Sequence, residues 1–125
     1  MKQTIVMRKD LNMRKGKMIA QGAHASVANV LRILEAKEKG NVNKKHLDDL
    51  EKWLKDSFRK ITLYVNSEDE LINIYNMAKE SQLNVSLIED NGDTEFKGIK
   101  TKTCLAIGPH NNEDIDKITY NLKLL

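Results

Sequence analysis

The sequence predicts an α/β protein. It reads as a three-layer α/β/α sandwich around a four-stranded, mostly parallel or mixed sheet, in a single domain over residues 1–125. Three observations predict this class. Four short runs, "QTIVMR" (3–8), "KITLYVN" (60–66), "NVSLIED" (84–90) and "TKTCLAIG" (101–108), are rich in β-branched residues and too short for helices. The stretches between them repeat apolar residues every three or four positions, the period of a helix packed on one face. The length of 125 residues suits one hydrophobic core, and the alternation of element types favours helices laid on both faces of a sheet.

After the first strand and a polar loop, a long helix is expected from about Lys17 to Lys39. Ala20, Ala23, Val27, Val30, Leu31 and Leu34 form its predicted buried stripe, and Gly40-Asn41 ends it. Residues 46–57 give a second helix, with Leu47, Leu50, Trp53 and Leu54 on one face and Trp53 as a core anchor. Behind the second strand, Ser67 followed by Glu70 makes a capping box. Leu71, Ile74, Tyr75 and Ala78 then face inward. The third strand delivers Asp90 into the loop "NGDTEFKGIK", and Gly108-Pro109 closes the fourth. A last helix begins near Asn112, with Ile115, Ile118 and Leu122 inward.

Composition narrows the function classes. A hydrophobic content of 40% and a charged content of 31% are those of a globular chain. No apolar run approaches a membrane span, and "MKQTIVMRKD" lacks the pattern of a signal peptide, so a cytoplasmic protein without membrane attachment is expected. The one cysteine, Cys104, suits a reducing compartment and reads as a small core residue. His24, His46 and His110 are scattered, so no metal site is expected. The net charge of +3 is unevenly spread: residues 8–17 hold Arg8, Lys9, Arg14, Lys15 and Lys17 against one acid, while "EDNGDTE" (89–95) holds four acids. A basic face of that kind can meet a phosphate backbone.

Within the basic stretch, Lys17, Gln21 and His24 lie four and three residues apart, on one side of a helix. In sheets wound with helices, sites collect at strand ends, where the loop "RKDLNMRKGK", Asp90 and Gly108-Pro109 are all expected. A lysine at a helix N-terminus can meet an oxyanion or a phosphate, and a carboxylate at a strand end can orient or deprotonate water. There is no Ser-His-Asp or Cys-His pattern, which favours direct attack by water.

The run "IVMRKDLNMRKGKMIAQGAHASV", followed in order by "KITLYVNSEDEL", "LIEDNGDT", "TCLAIGP" and "IDKITYNLKLL", resembles the archaeal and eukaryotic (type 2) peptidyl-tRNA hydrolases over nearly the whole chain. The resemblance implies cleavage of the ester between a peptide and the 3′ end of tRNA, with peptidyl-tRNA as partner and no metal or cofactor. It places catalytic roles on Lys17, Asp90, Thr94 and Thr103, and puts Gln21 beside them. His24, Arg14 and Lys15 complete the expected substrate-binding set. A homodimer is left open. The chain departs from the family pattern at Asp93 and Glu95, where Arg and Gln are usual, and at Arg14, where Gly is usual. About one extra residue also separates the two threonines. These departures keep a second reading alive, a non-catalytic RNA- or protein-binding module on the same scaffold.

Overall fold

A computed structural model describes residues 1–125. In chain order it contains β1 (Lys2–Arg8), α1 (Lys15–Lys39), α2 (Lys44–Lys55), β2 (Lys60–Val65), α3 (Glu68–Glu80), β3 (Val85–Asp90), a short 3-10 turn (Phe96–Gly98), β4 (Thr101–His110), α4 (Asn112–Thr119) and β5 (Lys123–Leu124). The sheet has five strands in the order β3-β4-β1-β2-β5. It is mixed: β1 and β2 are parallel, and the β1–β4, β3–β4 and β2–β5 pairs are antiparallel. The expected class therefore stands, with one strand more than predicted. The two-residue β5 is too short to leave a periodic signal.

Strand alternation sorts the core into two faces. Val6, Val65, Val85, Leu105 and Ile107 meet Leu71, Ile74 and Ala78 of α3 and Ile115 and Ile118 of α4. From the other side of the same strands, Ile5, Met7, Cys104 and Ala106 meet α1 through Ala25. A third cluster of Ile33, Leu50 and Trp53 joins α1 to α2, and the Trp53 indole N–H donates to the Arg59 carbonyl at 2.8 Å. Trp53 is the anchor expected. Local signals act as read: Ser67 accepts from the Glu70 N–H, while Glu70 reaches back to the Asn66 N–H. Gly40, at φ +80°, ends α1 in the left-handed conformation that glycine adopts without strain.

The predicted buried face of α1 is wrong. Ala20, Ala23, Val27, Leu31 and Leu34 are exposed and Val30 is half-buried, whereas Gln21, Gly22, Ala25, Asn29 and Ile33 are buried. The reason is packing distance. A Cβ on Gly22 would lie in van der Waals contact with the Ile5 side chain at 3.7 Å, so the small residues Gly22 and Ala25 are where the helix lies close to the sheet. Asn29 adds polar fastening, its amide donating to the carbonyls of Ala106 at 2.8 Å and Gly108 at 2.9 Å. Hydrophobic periodicity finds an apolar stripe but carries no information about close approach. Lys17 and Gln21, at the N-terminal end of the face turned to the sheet, are the α1 residues that build the site.

Far from that site, His110 is fully buried at the end of β4. Its Nδ1–H donates to Asp49 of α2 at 2.8 Å, and its Nε2 accepts the Asn84 N–H at 2.8 Å. The second contact requires the neutral ring, because a protonated Nε2 cannot accept. Burial pushes its pKa below the ordinary value, and His46 and Lys45 act in the same direction against the opposing pull of Asp49. The unfolded chain therefore takes up a proton, near the ordinary imidazole pKa of about 6.5, before the folded chain does. Stability is complete above that value and falls as pH drops through it. Urea midpoints should decline between about pH 7 and 5, and His110→Gln should flatten that decline.

Candidate functional site

The site forms where the first turns of α1 meet the end of β3 and the loop that follows it. Lys17 Nζ donates to Asp90 Oδ1 at 2.8 Å and to Thr94 Oγ1 at 3.0 Å. Gln21 Nε2, one turn along the same face, reaches Asp90 Oδ1 at 3.4 Å. The other Asp90 oxygen accepts the Gly92 N–H at 2.9 Å, an Asx turn written in the sequence as Asp-Asn-Gly. The side chains of Lys17 and Asp90 are each only 14% exposed, so the pair is partly shielded from water. The Lys17 ammonium, with the Gly92 and Gln21 bonds adding to it, holds the Asp90 carboxyl below the ordinary carboxylate range against an opposing effect of burial. Asp90 is thus an ionised acceptor at neutral pH.

Thr103 enters from the opposite wall. Its hydroxyl donates to Gln21 Oε1 at 2.5 Å, and the thiol of neighbouring Cys104 donates to the Gln21 carbonyl. Adjacent strand residues point to opposite faces, so both reaching α1 calls for an irregularity. It lies in the register: Ile88 pairs with Cys104 but Glu89 pairs with Lys102, leaving Thr103 as an extra residue. This bulge turns Thr103 toward Gln21. Thr103 is fully buried, so it touches Gln21 and not the open cleft. Burial raises the Cys104 thiol to about 12, which keeps it protonated.

The loop after Asp90 is built around one glycine. Gly92 has φ +85°, and a Cβ there would meet the Ile99 carbonyl oxygen at 2.6 Å. Its own carbonyl accepts the Gly98 N–H at 2.9 Å, closing the loop on itself and presenting Thr94 to Lys17. Phe96 packs beneath with Leu11 and Met18. Arg8 was overlooked as a sequence candidate. It ties the basic loop down by binding both oxygens of Asp10 and donating to the Lys102 carbonyl at 3.0 Å. Its place at the end of a strand, two residues before an acid, is the only sequence signal for this role.

The structure brings Lys17, Gln21, Asp90, Thr94 and Thr103 into one hydrogen-bonded group. It does not bring His24 into it: that ring is exposed and bonds to none of them. Lys15 is exposed and unpaired at the start of α1, whose first turn carries no acid. Arg14, the N-cap residue, pairs with Glu95 at 3.2 Å. Chemically, the group offers an ionised carboxylate, an ammonium with one N–H still free, a threonine hydroxyl, and a helix N-terminus flanked by cations.

The family model described as "Peptidyl-tRNA hydrolase PTH2" matches residues 1–125. Proteins named peptidyl-tRNA hydrolase from Methanocaldococcus jannaschii and Methanothermobacter thermautotrophicus are similar at 46% and 42% identity, each alignment covering 100% of both chains. One from Sulfolobus acidocaldarius is 42% identical, also over 100% of both chains. A solved structure of a protein of unknown function from Agrobacterium shares the fold at TM-score 0.62 and 13% identity, over 99% of this chain and 96% of that one. No helix is long and apolar enough to cross a membrane. With its full length matched and its Lys-Gln-Asp-Thr group assembled, the chain belongs to the peptidyl-tRNA hydrolase family PTH2.

Proposed function

We propose that this protein hydrolyses the ester between a peptide and the 3′ end of tRNA, with water as the nucleophile. The observation that carries the reading is the Lys17–Asp90 pair at 2.8 Å with Thr94 and Gln21 attached to it. Asp90, ionised and pinned by Gly92, orients a water and accepts its proton as the oxygen attacks the ester carbonyl. Lys17 uses its remaining N–H on the oxyanion that develops, a charge that exists only near the transition state. Thr94 accepts from Lys17, which leaves its own hydroxyl proton free to donate to the carbonyl or the water. The tetrahedral species then collapses: the carbonyl re-forms, the bond to the ribose oxygen breaks, and that oxygen takes the proton Asp90 had accepted, which restores the carboxylate. Thr103 acts through Gln21, holding the amide so that its N–H side faces Asp90. Lys15, Arg14 and the open N–H groups of α1 receive phosphates of the tRNA.

The deciding assay is release of the acyl group from an N-acetylated aminoacyl-tRNA, with free aminoacyl-tRNA as control. Absence of turnover by the purified protein would leave only a binding role. Lys17→Ala and Asp90→Asn should each lower kcat by about 10²-fold or more, the usual scale for lost electrostatic or acid–base assistance. Both variants should keep a native circular-dichroism spectrum.

The ion pair also sets a pH expectation. The folded-state pKa of Asp90 is depressed, so its charged form and the stability of the pair persist above the ordinary carboxylate range and are lost only as pH falls through the lowered value. Followed by NMR, the Asp90 carboxyl should titrate below about 3.9, the value of a free aspartate. In Lys17→Gln it should titrate higher, because the largest cause of the depression is gone. An unchanged titration would remove Lys17 as the controlling charge.

For the partner, we propose a homodimer through the outward face of α1. Ile19 is 73% exposed and Val27 53%, with Leu31 and Leu34 continuing the same face. These residues span about 22 Å of helix, long enough for a self-complementary two-fold contact. Wild-type protein should sediment as a dimer and Val27→Glu/Leu31→Glu as a monomer. A monomeric wild type at tens of micromolar would dispose of the idea.

A further inference from the structure

Arg14 and Glu95 come from opposite rims of the site, 81 residues apart in the chain, and meet at 3.2 Å. Arg14 is the residue on which α1 begins, and its side chain caps no backbone group. Glu95 sits directly after Thr94 and opens the turn Phe96–Gly98. Their environments differ: the Arg14 side chain is 85% exposed, whereas Glu95 is 18% exposed. The cation is therefore the partner open to solvent and to an incoming anion. The pair joins the start of α1, which carries Lys17, to the loop that carries Asp90 and Thr94. Asp93, two residues before Glu95, is exposed and forms no ion pair, so Glu95 alone of the loop's last two acids engages the basic rim.

From this geometry we infer that Arg14 and Glu95 form an exchangeable clasp, in which Glu95 holds the Arg14 guanidinium until a tRNA phosphate displaces it. This deepens the hydrolase reading and rests on it for the identity of the polyanion. Arg14 meets Glu95 through one contact, Nε to Oε1, which leaves guanidinium N–H groups free to take hold of a phosphate before the carboxylate is released. An exposed pair of this kind is weak enough to be displaced. With no tRNA bound, the clasp neutralises Arg14 and leaves Lys15 as the unpaired cation at the start of α1. Filled, it frees Glu95 beside a phosphate, which favours departure of the tRNA after cleavage. Glu95 thereby tunes how long tRNA stays, while Lys17 and Asp90 carry the chemistry.

The test is a double-mutant cycle on tRNA affinity, with wild type, Arg14→Ala, Glu95→Gln and the double variant. The readout is fluorescence anisotropy with deacylated tRNA, so that it does not depend on turnover. Removing Glu95 in the presence of Arg14 should tighten binding about three- to five-fold, since both the pair and the repulsion are lost. In the Arg14→Ala background the same change should give less than about two-fold, because only repulsion remains. The difference should vanish near 1 M salt, where the Debye length is about 3 Å, and be largest below about 0.1 M. Equal gains in both backgrounds would reduce Glu95 to simple charge repulsion and overturn the clasp. A difference that persists at high salt would make the coupling structural and overturn it equally. Failure of the wild type to cleave N-acetylated aminoacyl-tRNA, with the cycle behaving as stated, would instead refute the hydrolase reading and leave the clasp standing.

Discussion

The ion pair of Lys17 with Asp90 joins the first turn of α1 to the end of β3, across 73 residues of sequence. Each charge makes the other's position tolerable. A lysine in the first turn faces the positive end of the helix dipole, and α1 has no acid of its own there to offset it. Asp90 supplies that negative charge from the sheet. A half-buried carboxylate in turn needs most of its lone pairs occupied, and Lys17, Gln21 and Gly92 occupy three of about four, leaving one on Oδ2. Removing one member leaves the others holding a desolvated charge, so the groups proposed to carry the chemistry also hold this corner of the structure together.

That pair is only as well placed as the helix beneath it. α1 is set on the sheet by small residues, Gly22 and Ala25, that allow a close approach, and by the Asn29 amide, which binds carbonyls of β4. One residue of helical slip would turn Lys17 by about 100° and carry it away from Asp90. The close packing of the far half of α1 thus serves the near end. The opposite face of the helix is left apolar and uncovered, and together with Leu125 it borders a groove of about 590 Å³ over Ile5 and Met7. The same helix therefore carries two distinct surfaces, a polar inner edge that holds the Lys17–Asp90 group and an apolar outer face left exposed.

Charge is graded from the rim inward. Lys15 and Arg14 stand in solvent, where the field of a charge is long-ranged and salt-sensitive, while Lys17 is mostly shielded and meets Asp90 at contact distance. The acids of the β3–β4 loop divide in the same way. Asp90 is sequestered in the site, Glu95 is matched to Arg14, and Asp93 faces water. The acidic character of the loop is therefore less hostile to a polyanion than its composition suggests, because two of its charges already have cationic partners.

Much of this was legible without coordinates. Local signals are short-range and strong: the β-branched runs, the capping box at Ser67, the glycine after α1 and the Asp-Asn-Gly turn each act on their immediate neighbours. The spacing of Lys17 and Gln21 on one helix edge follows from helical geometry alone, and the resemblance of the surrounding motifs named their companions. Three things only the tertiary structure decided. Which face of α1 is buried depends on how closely helix and sheet approach, and the apolar count favours the wrong face. That His24 leaves the group while Gln21 joins it follows from the same rotation. Thr103 reaches Gln21 because a bulge against β3 reverses its direction, and strict alternation would have sent it to the other face of the sheet. Sequence determines conformations whose causes lie within a few residues; contacts set by packing between distant segments are decided only when those segments meet.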